Sequence, residues 1–299
     1  MRYVKLILVG ILAGVLLPSL RAQVTLAPKF PDKFYVELKT DHQRSGKTTK
    51  GETKDHTETS LVLGVAVLKT NADGGLVAEL KIESYKGSVT DAAGKRTESA
   101  VSQLQGTTVQ VTLDAGMNVT KVDGLAALIA KFDPQGKASA LAKANTTDHY
   151  EMMFRDWASQ IFVPLGGKAV NTGDKWEQKS VRRFAPYGSF RLTKTLVYGG
   201  TETIDGKELH RLTFTTAHAF NPTKAAEAAP LKVTRLSINK GVYEGTLYFD
   251  AAAGRLLRAD CKEQRDLVMT LSGDVRDSEV RIRDEGTSSM RFHEKNPLP

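Results

Sequence analysis

Apolar residues return at every second position along most of this chain, and that alternation limits what it can fold into. Leu76, Ala78, Leu80 and Ile82 share one parity, and Val77, Glu79, Lys81 and Glu83 share the other. Val109, Val111 and Leu113 alternate with Thr108, Gln110 and Thr112. Leu212, Phe214 and Thr216 alternate with Arg211, Thr213 and Thr215, and Val280 and Ile282 with Arg281 and Arg283. A period of two puts successive side chains on opposite faces of a strand. One apolar and one charged face is the pattern of antiparallel sheets with a wet side. Turn residues punctuate the runs: Asn71-Ala72-Asp73-Gly74-Gly75, Asp114-Ala115-Gly116, Asp205-Gly206 and Asp250 to Gly254. Asp205-Gly206 reads as a tight hairpin turn, because that pair accepts the positive φ values such a turn needs. The expected fold is all-β and mostly antiparallel, with about a dozen strands and one or two short mid-chain helices.

Two stretches depart from this period. Leu125, Leu128, Ile129 and Phe132 have helical spacing, closed by Pro134. Tyr150, Met153, Phe154, Trp157, Ala158 and Ile161 fall on one helix face. Asp148, three residues before Glu151, has the spacing of a capping box, and Pro164 with Gly166-Gly167 is the expected stop. The Ala-rich piece from Lys137 to Ala144 links the two and is expected to be either helical or mobile.

Asp41 to Ser60 contains no apolar residue, and its charges cancel. It reads as a long hairpin with a tip wet on both faces, or as a plain loop. A second polar, Ala-rich loop is expected from Asn221 to Pro230. The turn aspartates Asp114 and Asp250 are 250 − 114 = 136 residues apart. This spacing suggests two related halves, about 30–124 and 171–293, within one domain over 23–299, joined by the helical segment 125–170.

Arg2 and Lys5 precede twelve apolar or Gly residues, Leu6 to Leu17, and Pro18-Ser19-Leu20-Arg21-Ala22 follows. That order is that of a secretory signal peptide over residues 1–22. It places the protein in an exported compartment, periplasmic or extracellular. The apolar run is shorter than the roughly 18 to 20 residues that span a bilayer, so the chain is not expected to be integral to a membrane once the leader is removed. The leader carries three basic and no acidic residues, which lowers the net charge from +8 to +5. Lys and Arg are interleaved with Asp and Glu, so no nucleic-acid partner is expected. A single cysteine, Cys261, rules out an internal disulfide.

Catalytic spacing is scarce. Gly46-Lys47-Thr48 resembles the end of a phosphate loop, but Asp41 stands where that loop needs its first glycine. The six histidines form no His-Glu-x-x-His motif, and Gly-x-Ser-x-Gly is absent. Asp41-His42 and Asp55-His56 are expected to face each other across the hairpin as an exposed charge pair. Cys261 shares a parity with Leu257 and Ala259, which makes it a buried small hydrophobe. No catalytic residue, metal ligand or cofactor is assigned.

Gly173-Asp174-Lys175-Trp176 is turn chemistry leading into a strand. With its proline-containing approach and the strands that follow, it resembles an uncharacterised family of secreted bacterial all-β proteins carrying a Gly-Asp-x-Trp segment. The polar hairpin, Asp73-Gly74 and the unit from Leu113-Asp114 to Val122-Asp123-Gly124 extend that likeness over most of the chain. The resemblance implies no activity, cofactor or catalytic residue. A looser likeness, resting on strand count, leader and mid-chain helices, is to envelope lipid carriers, in which a curved half-barrel wraps a helical plug. Tyr150, Met153, Phe154, Trp157 and Ile161 are then the candidate ligand-binding residues, for a lipid or other apolar ligand. The same residues would equally fill a solid core. In that alternative the chain is a structural module that meets an envelope protein through a sheet edge or the 41–60 hairpin. Both readings are non-enzymatic.

Overall fold

The computed structural model describes residues 23–48, 51–133, 135–137, 139–163, 165, 167, 169–184, 188–222, 231–273 and 278–299. The leader 1–22, Pro134, Pro164, Gly166 and most of the 221–230 loop lie outside the described residues. The strands are β1 (Val24–Thr25), β2 (Lys33–Thr48), β3 (Gly51–Thr70), β4 (Leu76–Asp91), β5 (Arg96–Glu98), β6 (Thr108–Leu113) and β7 (Val119–Asp123). After the helices come β8 (Ala169–Val170), β9 (Lys175–Phe184), β10 (Gly188–Ile204), β11 (Lys207–Pro222), β12 (Leu231–Asp250), β13 (Arg255–Gly273) and β14 (Ser278–His293). The helices are α1 (Leu125–Phe132) and α2 (Ala140–Ile161), with a short 3-10 turn at Ala100–Leu104.

Twelve strands form one antiparallel sheet in the order β7-β6-β4-β3-β2-β14-β13-β12-β11-β10-β9, with β5 beside β4. The early meander and the late one meet where β2 pairs with β14, along Tyr35↔His293 to Lys47↔Arg281. Among the described residues the end strands β7 and β9 do not pair with each other, so the sheet is not closed into a barrel. β1 and β8 form a separate two-stranded piece.

α2 bridges the opening with two consecutive residues. Arg155 Nη1 donates to the Val119 carbonyl at 2.5 Å and Nη2 to that of Thr120 at 3.4 Å, which covers exposed backbone acceptors on β7. Asp156 accepts two hydrogen bonds from Arg182 on β9, the Nε bond at 3.1 Å. Edge strands leave backbone groups unpaired, and here both edges are tied to one helix. Among the described residues no helix is long and apolar enough to cross a membrane.

The helix begins earlier than its aromatic face suggests. Ser139 is the N-cap, its Oγ accepting from the Ala142 N–H at 3.1 Å. Asp148 therefore lies inside α2, and the capping box expected there does not form. The Ala-rich piece has the highest intrinsic helix propensity of the segment, and it takes the helical one of its two expected states, extending α2 from Ala140.

The 41–60 region is the β2–β3 hairpin, paired along its length from Lys33↔Ala66 to Thr48↔Gly51. It is not a free arm: β14 flanks it on one side and β4 on the other. Asp41 and His56 do pair, with His56 Nε2 2.8 Å from Asp41 Oδ1 in an exposed position. At the β10–β11 turn, Asp205 and Gly206 have φ of 50° and 76°, as the dipeptide demanded. On β13 a bulge opposite Tyr248/Phe249 shifts the phase. Leu256 is therefore buried and Leu257 half-buried, while Ala259 and Cys261 keep the inward parity.

Candidate ligand cavity

The concave face of the sheet grades from apolar to charged along the strand direction. One cross-strand rung is apolar over eight strands: Tyr198, Leu212, Leu247, Ala259, Met290, Leu38, Leu61 and Tyr85 stand opposite one another in turn. Two residues further along the same face, Leu196 and Phe214 stay apolar while Cys261, Ser288 and Thr40 turn polar. The next rung carries Gln178, Lys194 and Thr216 on β9, β10 and β11. It continues through Tyr243, Glu263, Gly286 and His42 on β12, β13, β14 and β2. Beyond it lie Leu192 and His218, then Arg265, Asp284 and Arg44. Strand periodicity of two makes this gradient a property of a single face.

Over the middle of the gradient, the sheet and α2 line a cavity of about 470 Å³ that is partly open to solvent. That is within the roughly 300–1,000 Å³ of small-molecule sites. Its apolar wall is made by Leu38, Tyr85, Val101, Met152, Met153 and Trp157. Its polar wall includes Gln178, Lys194, Thr216, Tyr243, Glu263 and Arg265. At the other end of the core, the pocket around Phe30, Phe34, Ile161 and Phe292 has only about 10 Å³ of free space.

The five helix residues singled out by periodicity divide between these environments. Met153 and Trp157 line the cavity. Tyr150, Phe154 and Ile161 do not: they are buried in the continuous hydrophobic core, Phe154 at 0% exposure. The reason is rotational. The most apolar stripe of α2 (150, 154, 158, 161) takes the dry contact. The neighbouring mixed stripe (149, 152, 153, 156, 160) faces the cavity. Trp157, on the border, touches both, with Phe154 edge-on at 5.1 Å.

Charges around the cavity are paired with one exception. Asp156 is forked by Arg182. Burial pushes its carboxyl above the usual range, and Arg182 opposes that shift. Arg265 Nε lies 2.5 Å from Glu263 and its Nη2 3.3 Å from the buried Asp284, which Arg44 also holds at 2.7 Å. Lys194 makes no hydrogen bond or ion pair among the described residues. Its Nζ sits 5.0 Å above the Phe214 ring, and burial lowers its pKa from the ordinary lysine value. Opposite it, the buried Thr216 Oγ1 has no hydrogen-bond partner. His218 is held down to about 4 by burial, with Arg265 and Arg182 adding to the shift. Burial also raises the Tyr243 hydroxyl and the Cys261 thiol, so Cys261 stays protonated and is a poor nucleophile.

Sequence reading missed the polar rung. Its only local signal is the succession Leu212, Phe214, Thr216, His218, one parity turning from apolar to polar. Elsewhere, Asp41, His56 and Glu58 offer one ligand atom each within 4.8 Å of one another. They are solvent-facing, with His56 bound to Asp41 and Glu58 paired with Arg96 at 3.4 Å, and they form an ordinary surface charge cluster.

No family model matches the chain, and no curated protein matches it. Among solved structures, it is similar to one described as lipid-protein interactions in lipovitellin, with 12% identity and a TM-score of 0.43. That match covers 90% of this chain and 26% of the other, so the chain spans about a quarter of that protein. A DUF1329 family protein from Desulfovibrio piger matches at 11% identity and a TM-score of 0.15, covering 90% of this chain and 88% of that one. The translocator domain of the autotransporter NalP from Neisseria meningitidis matches at 10% identity and 0.19, covering 87% and 88%. At such scores none of the three carries a conclusion about this chain.

Proposed function

We propose that the chain is an exported, non-enzymatic binding protein that takes a lipid-like amphipathic molecule into the space between α2 and the sheet. The observation that carries this is the cavity of about 470 Å³ whose lining passes from apolar to charged. A purely apolar ligand would leave the polar rung without partners, and a purely polar one would leave Met152, Met153 and Trp157 facing water. A molecule with an apolar chain and a polar head satisfies both ends. The leader-like order of residues 1–22 supports export. The protonated thiol of Cys261 and the already paired Asp156 and Glu263 suit a binding role better than a catalytic one.

Native mass spectrometry on the chain purified gently from its own host tests this. The expected spectrum shows a reproducible adduct of lipid mass, and lipid extraction of the same sample identifies it. Met153→Glu, which sets a charge on the half-buried apolar wall, is expected to abolish the adduct while the circular dichroism spectrum is unchanged. A bare polypeptide mass from the wild-type protein would overturn the reading.

A further inference from the structure

We infer that Lys194, Thr216 and Gln178 form a monoanion subsite for the head of the bound molecule, a carboxylate at the end of an acyl chain. The inference rests on the binding role proposed above. The cavity lining holds three cations, Arg182, Lys194 and Arg265, and two carboxylates, Asp156 and Glu263. The net charge with neutral histidines is 3 − 2 = +1. Arg182 is taken by Asp156 and Arg265 by Glu263 and Asp284. The remaining charge is on Lys194 alone.

Position matches charge. Gln178, Lys194 and Thr216 are direct cross-strand neighbours, Gln178↔Lys194 and Lys194↔Thr216, so their side chains leave the sheet side by side. Thr216 is 9% exposed, and its hydroxyl has no partner. An unpaired half-buried cation and an orphaned buried hydroxyl are both costly alone. A carboxylate accepting from Lys194 Nζ, Thr216 Oγ1 and the Gln178 amide would satisfy them together. The same cavity is lined by Leu38, Tyr85, Val101, Met153 and Trp157, which give the adjoining chain an apolar bed. A dianionic head would exceed the one free charge.

Three probes separate the outcomes: hexadecanoate, hexadecan-1-ol and acetate, each titrated calorimetrically into wild-type protein, Lys194→Met and Thr216→Val. Hexadecanoate is expected to bind the wild type about ten- to a hundredfold more tightly than the alcohol, and Lys194→Met to remove that preference. Thr216→Val keeps the side-chain shape and is expected to weaken hexadecanoate several-fold while leaving the alcohol unchanged. Ligand-free Lys194→Met should melt about 2–4 °C higher, because it relieves an unpaired half-buried charge. Equal binding of acid and alcohol, unaffected by Lys194→Met, would overturn the subsite and leave the cavity role standing. Binding of neither long-chain probe would overturn both. Acetate binding as tightly as hexadecanoate would overturn the acyl-chain half of the inference and keep the anion half.

Discussion

Phe154→Ala is expected to lower the unfolding free energy by about 3–5 kcal/mol, the usual cost of emptying a fully buried aromatic position. Phe154 is completely buried and packs edge-on against Trp157. Its neighbours on the same helix face, Ala158 and Ile161, are buried too, so no side chain can swing in from solvent to fill the space. The effect should exceed the lost contact area, because α2 is the element that ties β7 to β9 through Arg155 and Asp156. Met153→Ala, one residue away and facing the cavity, should cost only about 1 kcal/mol. Urea unfolding midpoints of the two variants measure the contrast. Equal costs would mean that the dry and wet faces of α2 are assigned wrongly.

Acidification is the second large effect. His218 has a folded-state pKa of about 4, against an ordinary value of 6.5. Above pH 6.5 it is neutral folded or unfolded and contributes nothing. As pH falls below 6.5 the unfolded chain takes up the proton first, so stability declines until about pH 4, where the folded protein binds it as well. After discounting for partial exposure, the loss is about 2 kcal/mol. His210, whose pKa burial also lowers, adds to it with the same sign. His218→Gln, which cannot charge, should flatten the slope between pH 6.5 and 4 in urea titrations and change stability little at pH 8. Parallel slopes for variant and wild type would show that His218 is not desolvated among Arg265, Arg182 and Tyr243.

Strand identity was legible wherever one face stays apolar throughout. Leu76 to Ile82 and Val109 to Leu113 are buried at alternate positions as their periodicity required. The Asp-Gly turn was legible for the same local reason. What escaped was non-local. Whether α2 fills the sheet depends on how it rolls about its axis. That is set by where Arg155 and Asp156 find partners, 36 and 26 residues away in the chain. The polar rung escaped because each member looks like an ordinary polar strand residue. Lys194, Thr216, Glu263 and His42 become one surface only through the pairing of β10 with β11, β13 with β14 and β14 with β2. The start of α2 was misplaced because Asp148-x-x-Glu151 competes in sequence with Ser139, and the Ala-rich run decides between them.

Quenching of Trp157 by a hexadecanoate brominated in mid-chain tests the central claim most directly. Trp176→Phe leaves Trp157 as the only tryptophan, at the border of core and cavity. The account predicts saturable quenching that reaches a plateau at one ligand per chain and is lost in Met153→Glu. Quenching that rises linearly with concentration, with no plateau, would show that the molecule never enters between α2 and the sheet.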